Sequence, residues 1–149
     1  MLTASQEVDL HSQLFYTVNS ITLSLKIFLI DDDLDEAELF SEALKTIEVA
    51  SDLKSFSLGT EALQYIVQEN HVPDCIFLDL NMPLISGKDV LYQLRKAPIT
   101  KNLRVIVYST TISPKDVEDT KEFNVEYLQK PSDFETLCKM VRQLLVRPS

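Results

Sequence analysis

The side chains able to do chemistry gather in four short stretches: Asp31-Asp32-Asp33, Asp79 with Asn81, Ser109-Thr110-Thr111, and Lys130 followed by Pro131. Each stretch follows an apolar, β-rich run, so each stands at the carboxyl end of an expected strand. In an open parallel sheet those ends border the crevice where ligands bind. Taken singly, the residues have ordinary structural uses: an aspartate caps a helix, a serine or threonine forms a turn, a lysine is solvated surface. Asp33 and Asp35 are expected in the helix-starting role, where the macrodipole favours acid. Brought to one sheet edge, however, Asp31, Asp32 and Asp79 concentrate negative charge, and like charges about 4 Å apart repel by about 4 kcal/mol per pair at a surface-like dielectric. A hard divalent cation removes that cost, and Mg²⁺ is satisfied by one or two carboxylates, several waters and a substrate phosphate. Lys130 supplies a further positive charge. Such a site suits phosphoryl transfer, in which a protein contributes position and charge neutralisation. A carboxylate is a competent nucleophile there and yields an acyl-phosphate.

The elements that must position these groups follow from hydrophobic periodicity. Five apolar runs read as strands: Leu25 to Ile30, Leu53 to Phe56, Cys75 to Leu78, Leu103 to Tyr108 and Val125 to Leu128. The first, third and fourth are nearly continuous in apolar residues, as expected of central strands covered on both faces, whereas the second and fifth are weaker. Between and after them run helical patterns. Ala37, Phe40, Leu44 and Ile47 form one stripe, and Leu137, Val141, Leu144 and Leu145 another. Further helices are expected from Thr60 to Gln68, Gly87 to Lys96 and Pro114 to Glu122, with Pro114 suited to a first turn. Strand and helix in alternation imply an α/β parallel sheet. With only two glycines, Gly59 and Gly87, the chain has no GxGxxG or Walker phosphate loop.

A length of 149 residues suits a single domain, and 45% hydrophobic with 25% charged residues is a globular composition. The net charge of -9 disfavours nucleic acid and anionic lipid as partners. No apolar run reaches the roughly 20 residues of a membrane span, and the start lacks a basic, hydrophobic leader, so the expectation is a cytoplasmic protein that engages no membrane. Cys75 and Cys138 lack metal or redox spacing and are expected to be reduced packing residues. Residues 1–24 stand outside the strand-helix pattern as an extension. Leu14, Phe15, Val18 and Ile21 fit one face of a short amphipathic helix, with Thr3 and Gln6 spaced as a capping box.

The segments KIFLIDDD at 26 to 33, GTEAL at 59 to 63, DCIFLDLNMPLISGKDVL at 74 to 91, VIVYST at 105 to 110 and EYLQKP at 126 to 131 resemble the receiver domains of two-component response regulators, the CheY-like superfamily. The resemblance covers residues 25–149. It implies a doubly wound, flavodoxin-like three-layer sandwich with five parallel strands in order 2-1-3-4-5. It implies that Asp79 is the phosphoacceptor, and that Asp32, Asp79 and the backbone carbonyl of Asn81 ligate Mg²⁺ (or Mn²⁺), with Asp31 acting through water. It further implies that Lys130 and Ser109 bind the phosphoryl group, that Tyr127 is an aromatic switch moving with Ser109, and that Thr110 and Thr111 border access to the site. The implied protein is a signalling switch that phosphorylates and dephosphorylates itself, with no metabolic turnover. Its phosphoryl donor is a sensor histidine kinase or histidine phosphotransfer protein. Its output is contact with a downstream protein through the fourth helix, fifth strand and fifth helix, with homodimerisation on phosphorylation a further option.

The chain departs from the family in FNVEYLQKP, which lacks the usual glycine-alanine pair before the fifth strand. Asn124 is the residue there that tolerates a left-handed backbone. Two other classes remain open on sequence. A haloacid dehalogenase-type hydrolase also places a nucleophilic aspartate after a strand, but typically needs a second aspartate where this chain has Asn81. A constitutive adaptor shares the fold but has no use for the whole acidic set.

Overall fold

The computed structural model describes residues 17, 18, 21 and 22 and residues 24–146. Five strands form one sheet: β1 (Leu25–Ile30), β2 (Ser51–Phe56), β3 (Cys75–Leu78), β4 (Arg104–Ser109) and β5 (Glu126–Gln129). All neighbours pair in parallel and the order is 2-1-3-4-5. Because strand side chains alternate between faces, the sheet has two cores. Leu25, Ile27, Leu29, Cys75, Phe77, Ile106, Tyr108 and Leu128 pack on α1 (Leu34–Thr46) and α5 (Phe134–Leu145). On the other face, Phe28, Ile30, Phe56, Ile76, Leu78 and Val105 pack on α2 (Gly59–Leu63) and α3 (Gly87–Lys96). The expected stripes are the buried ones: Phe40 and Leu44 on α1, and Leu137, Val141 and Leu145 on α5. The Phe40 ring lies tilted against Phe77 at 4.7 Å and edge-on to Tyr108 at 5.6 Å.

Local chemistry sets where elements start. Asp33 caps α1 by accepting from the N–H groups of Asp35 and Glu36, the role anticipated for it. Ser113 and Asp116 form a capping box at α4 (Pro114–Thr120), with Pro114 in its first turn. Asn124 adopts φ 53, the left-handed turn that leads into β5.

Several boundaries differ from expectation. The helix expected over 60–68 is α-helical only to Leu63 and continues as a π turn over Gln64–Gln68, closed by the Glu69 N–H donating to the Gln64 carbonyl. The one expected over 114–122 tightens into a 3₁₀ turn at Lys121–Phe123. β2 begins at Ser51, since pairing with β1 continues past its apolar part. β4 and β5 sit one residue later than their apolar runs, because Ser109 still pairs with Gln129 and accepts from the Lys130 N–H at 2.8 Å. Val18 and Ile21, expected on a helix face, instead pair across a short antiparallel ladder with Thr17 opposite Thr22. Threonine, valine and isoleucine are β-branched, and their stiff side chains favour extended backbone. Thr3, Gln6, Leu14 and Phe15 lie outside the described residues.

Cys75 is buried in β3, and its thiol is pushed up to about 12 by burial. Cys138 is half-buried on α5, and both cysteines are free. No helix among the described residues is long and apolar enough to cross a membrane.

Gly87 opens α3 directly against the strand end that carries Asp79, and its N–H donates to the Leu80 carbonyl at 3.0 Å. A Cβ there would collide with the Asp79 carbonyl oxygen and lie 2.6 Å from the Leu80 Cα, both backbone atoms that cannot rotate away. Gly87→Ala is therefore expected to destabilise the protein by about 2 kcal/mol or more, read as a lower urea midpoint with an unchanged m-value. An unaltered midpoint would mean that this close approach carries no constraint.

Candidate functional site

Four strand ends deliver the predicted residues to one place. Asp31 follows β1, Asp79 follows β3, Ser109 closes β4 and Lys130 follows β5. Asp31 and Asp79 are 3% and 6% exposed and Ser109 is fully buried, whereas Asp32 faces solvent. One carboxylate oxygen from each of Asp31, Asp32 and Asp79 lies within 4.8 Å of the others.

The hydrogen bonds treat the two Asp79 oxygens unequally. Oδ1 accepts from the Ser109 hydroxyl at 2.8 Å and from the Asn81 N–H at 3.0 Å. Ser109 is fixed in turn, because its Oγ accepts from the Leu80 N–H at 2.9 Å. Among the described residues, Oδ2 has only the Lys130 ammonium, 3.7 Å away. One oxygen is thus held and the other left available. Lys130 makes its short contact elsewhere, donating to Asp31 Oδ2 at 2.6 Å, while Asp31 Oδ1 accepts from the Asp33 N–H.

Electrostatics follow the same pattern. Burial pushes the Asp31 carboxyl above the usual carboxylate range; Lys130 and the Asp33 N–H pull it back, and the charge of Asp79 adds to the rise. For Lys130 burial is the largest single influence and works against the cation. The hydrogen bond to Asp31 and the charges of Asp31, Asp79 and Glu36 outweigh it, so the ammonium is held above the ordinary lysine value. Asp32 makes no ion pair among the described residues. Of the three clustered carboxylates the ammonium pairs with Asp31 and Asp79 and leaves Asp32 over, and the hard oxygen donors are chemically suited to a divalent cation.

The remaining predicted residues lie on and just beyond β4 and β5. Thr110 and Thr111 are exposed just beyond β4. Tyr127, half-buried on β5, lies away from Asp79 and is tied to α4, its hydroxyl 2.6 Å from that of buried Thr120. The Thr120 hydroxyl donates to the Asp116 carbonyl at 2.7 Å, which leaves the phenol as donor to Thr120.

Sequence reasoning passed over Glu36, Tyr108 and Thr120. Glu36 Oε2 lies 3.8 Å from Lys130 Nζ and accepts from the Tyr108 hydroxyl at 3.5 Å, and the ammonium sits 5.2 Å above the Tyr108 ring. The available signals were position alone: Glu36 one turn past the aspartates, and Tyr108 beside Ser109.

Comparison with known proteins identifies the family. Residues 27–142 match the family model described as response regulator receiver domain. The chain is 31% identical over 122 residues to response regulator Rcp1 of Synechocystis, covering 78% of this chain and 83% of that protein. Among solved structures it is similar to the phosphorylated cyanobacterial phytochrome response regulator RcpA, with TM-score 0.75, 28% identity and coverage of 83% of this chain and 95% of the other. The Mn²⁺-bound form of Rcp1 gives TM-score 0.74 at 30% identity, over 84% of this chain and 97% of the other.

A cation bound only by the folded site stabilises the fold by mass action, by about 2.7 kcal/mol at 100 times its dissociation constant. MgCl₂ at that level is expected to raise the melting temperature of the wild type by roughly 10 °C over an EDTA control. Asp32→Asn should lose most of that shift, and an undiminished shift in the variant would place the cation elsewhere.

Proposed function

The chain belongs to the response regulator receiver family, and on that footing we propose that it is a phosphoacceptor switch of a two-component or phosphorelay pathway, taking a phosphoryl group onto Asp79 with Mg²⁺. The observation that carries this reading is the clustering of one carboxylate oxygen from each of Asp31, Asp32 and Asp79 within 4.8 Å, where the Lys130 ammonium pairs with Asp31 and Asp79 and, among the described residues, Asp79 Oδ2 has no donor nearer than that ammonium at 3.7 Å. Asp32, Asp79 and the Asn81 backbone carbonyl would hold the metal, and Asp31 would act through water. When bound, the metal neutralises charge on the transferring phosphoryl oxygens.

In the proposed transfer, Asp79 Oδ2 attacks phosphorus on a phosphohistidine of a sensor kinase or histidine phosphotransfer protein. The new O–P bond forms as the P–N bond breaks, and the electron pair leaves with the imidazole nitrogen. Lys130 offsets the charge delivered to Asp79. Attack of water on the acyl-phosphate releases inorganic phosphate and restores the carboxylate, so the protein catalyses its own phosphorylation and dephosphorylation. Thr110 and Thr111 border the path of that water.

The new dianion offers Ser109 and Lys130 a stronger partner than a carboxylate. Ser109 exchanges Asp79 Oδ1 for a phosphoryl oxygen and draws the loop after β4 inward. Tyr127 gives up Thr120 and turns into the space vacated, which carries the change to α4, β5 and α5. A downstream protein, or a second copy of the phosphorylated chain, reads that face in the cytoplasm.

Acetyl phosphate with MgCl₂ is expected to add one phosphoryl group to the wild type by intact mass, and beryllium fluoride to compete with it. Asp79→Asn should take up neither. Normal loading of that variant would refute the assignment.

A further inference from the structure

Building on that reading, we propose that Glu36 and Tyr108 are positioning residues that govern how much of the Lys130 charge reaches a phosphoryl group on Asp79. Lys130 is divided among unequal acceptors, with Asp31 at 2.6 Å, Asp79 at 3.7 Å and Glu36 at 3.8 Å. Glu36 is thus as near to the ammonium as the phosphoacceptor is. Its backbone is anchored beside the site, since its N–H donates to the capping carboxylate of Asp33 in the first turn of α1.

Tyr108 moderates that competition. It is 1% exposed and wedged against Phe40 and Phe77 at 5.6 and 6.0 Å, so its hydroxyl has little freedom. That hydroxyl donates to the same Glu36 oxygen that faces Lys130. Burial and the neighbouring carboxylates of Glu36, Asp31 and Asp79 push the phenol well above its ordinary value, so it keeps its proton and is the donor towards the Glu36 carboxylate, which can only accept. Part of the Glu36 charge is thereby spent on tyrosine, while the ring beneath the ammonium supports it from below. Glu36 draws Lys130 away from the phosphoryl group and Tyr108 limits how strongly it does so.

Removing each group should therefore act in opposite directions. Glu36→Gln deletes a negative charge near an incoming dianion but keeps an acceptor for Tyr108. It is expected to load from acetyl phosphate roughly 5-fold faster and to half-saturate with beryllium fluoride at a correspondingly lower concentration. Tyr108→Phe frees Glu36 to hold the ammonium and should slow loading by a similar factor. The double variant should resemble Glu36→Gln, since the phenol acts only through the carboxylate. Glu36→Asp retains the charge and should stay within about twofold of wild type, and it distinguishes charge from shape even if Tyr108→Phe folds poorly.

All arms use the full chain at saturating MgCl₂, with the Mg²⁺ dissociation constant measured alongside. Unchanged loading in Glu36→Gln, the same direction of change in Tyr108→Phe, or weaker Mg²⁺ binding without faster loading would each overturn the inference. The last result would make Glu36 part of the metal shell. A wild type that does not load removes the parent reading as well, whereas a wild type that loads alongside an inert Glu36→Gln removes only this one.

Discussion

A single buried ammonium shared among more carboxylates than it can satisfy is the constraint on which the site depends. Lys130 neutralises Asp31 at 2.6 Å and reaches Asp79 and Glu36 only at 3.7 and 3.8 Å. Buried ion pairs contribute little net stability, because desolvation offsets most of the Coulomb attraction, yet losing one partner of such a pair costs about 3–5 kcal/mol. Asp31 is thus tolerable only with Lys130 present. Asp32 and the second oxygen of Asp79 are left over, and that surplus of negative charge suits a divalent cation followed by a phosphoryl group. The ground state is a charge imbalance held in place by the fold.

The fold holds it by placing every participant at the end of a rigid strand. Neighbouring strands register Ile30 beside Leu78 and Leu78 beside Val107, so the residues just beyond them arrive side by side. The Asp79 N–H donates to the Ile30 carbonyl at 2.9 Å and the Lys130 N–H to the Ser109 carbonyl at 2.8 Å, which extends pairing up to the clustered residues themselves. Gly87 allows α3 to begin against this edge without a side chain between them. Beyond the centre the contacts become longer-range and polar. Tyr127 leans on Thr120, and Lys88 on α3 bridges Asp116 and Asp119 on α4. Such half-exposed contacts are weak individually.

The central strands were legible because β1, β3 and β4 are covered on both faces, so their sequences are apolar without interruption. β2 and β5 are edge strands with exposed positions, and their ends are fixed by hydrogen-bonding neighbours that periodicity does not register. The π turn after Leu63 and the 3₁₀ turn after Thr120 follow the same rule, being set by tertiary packing against a helix-compatible sequence. Asp31, Asp32, Asp79, Ser109 and Lys130 could be picked out because topology assigns strand ends to function. Glu36 could not, since a glutamate in the first turn of a helix satisfies the macrodipole whether or not it faces a lysine. Tyr108 read as core because its ring is core, and only the folded chain brings its hydroxyl to Glu36. Thr120 gave no signal at all, its role resting on a partner seven residues away across a turn.

The central claim is that these carboxylates are assembled for a cation, and its most direct measurement is anomalous diffraction from crystals of the full chain soaked in MnCl₂. A strong peak within coordinating distance of the Asp32 and Asp79 carboxylate oxygens, with Lys130 still in contact with Asp31, is the predicted result. Saturating Mn²⁺ that leaves those oxygens without metal, or binds only at other acidic surfaces, would contradict it.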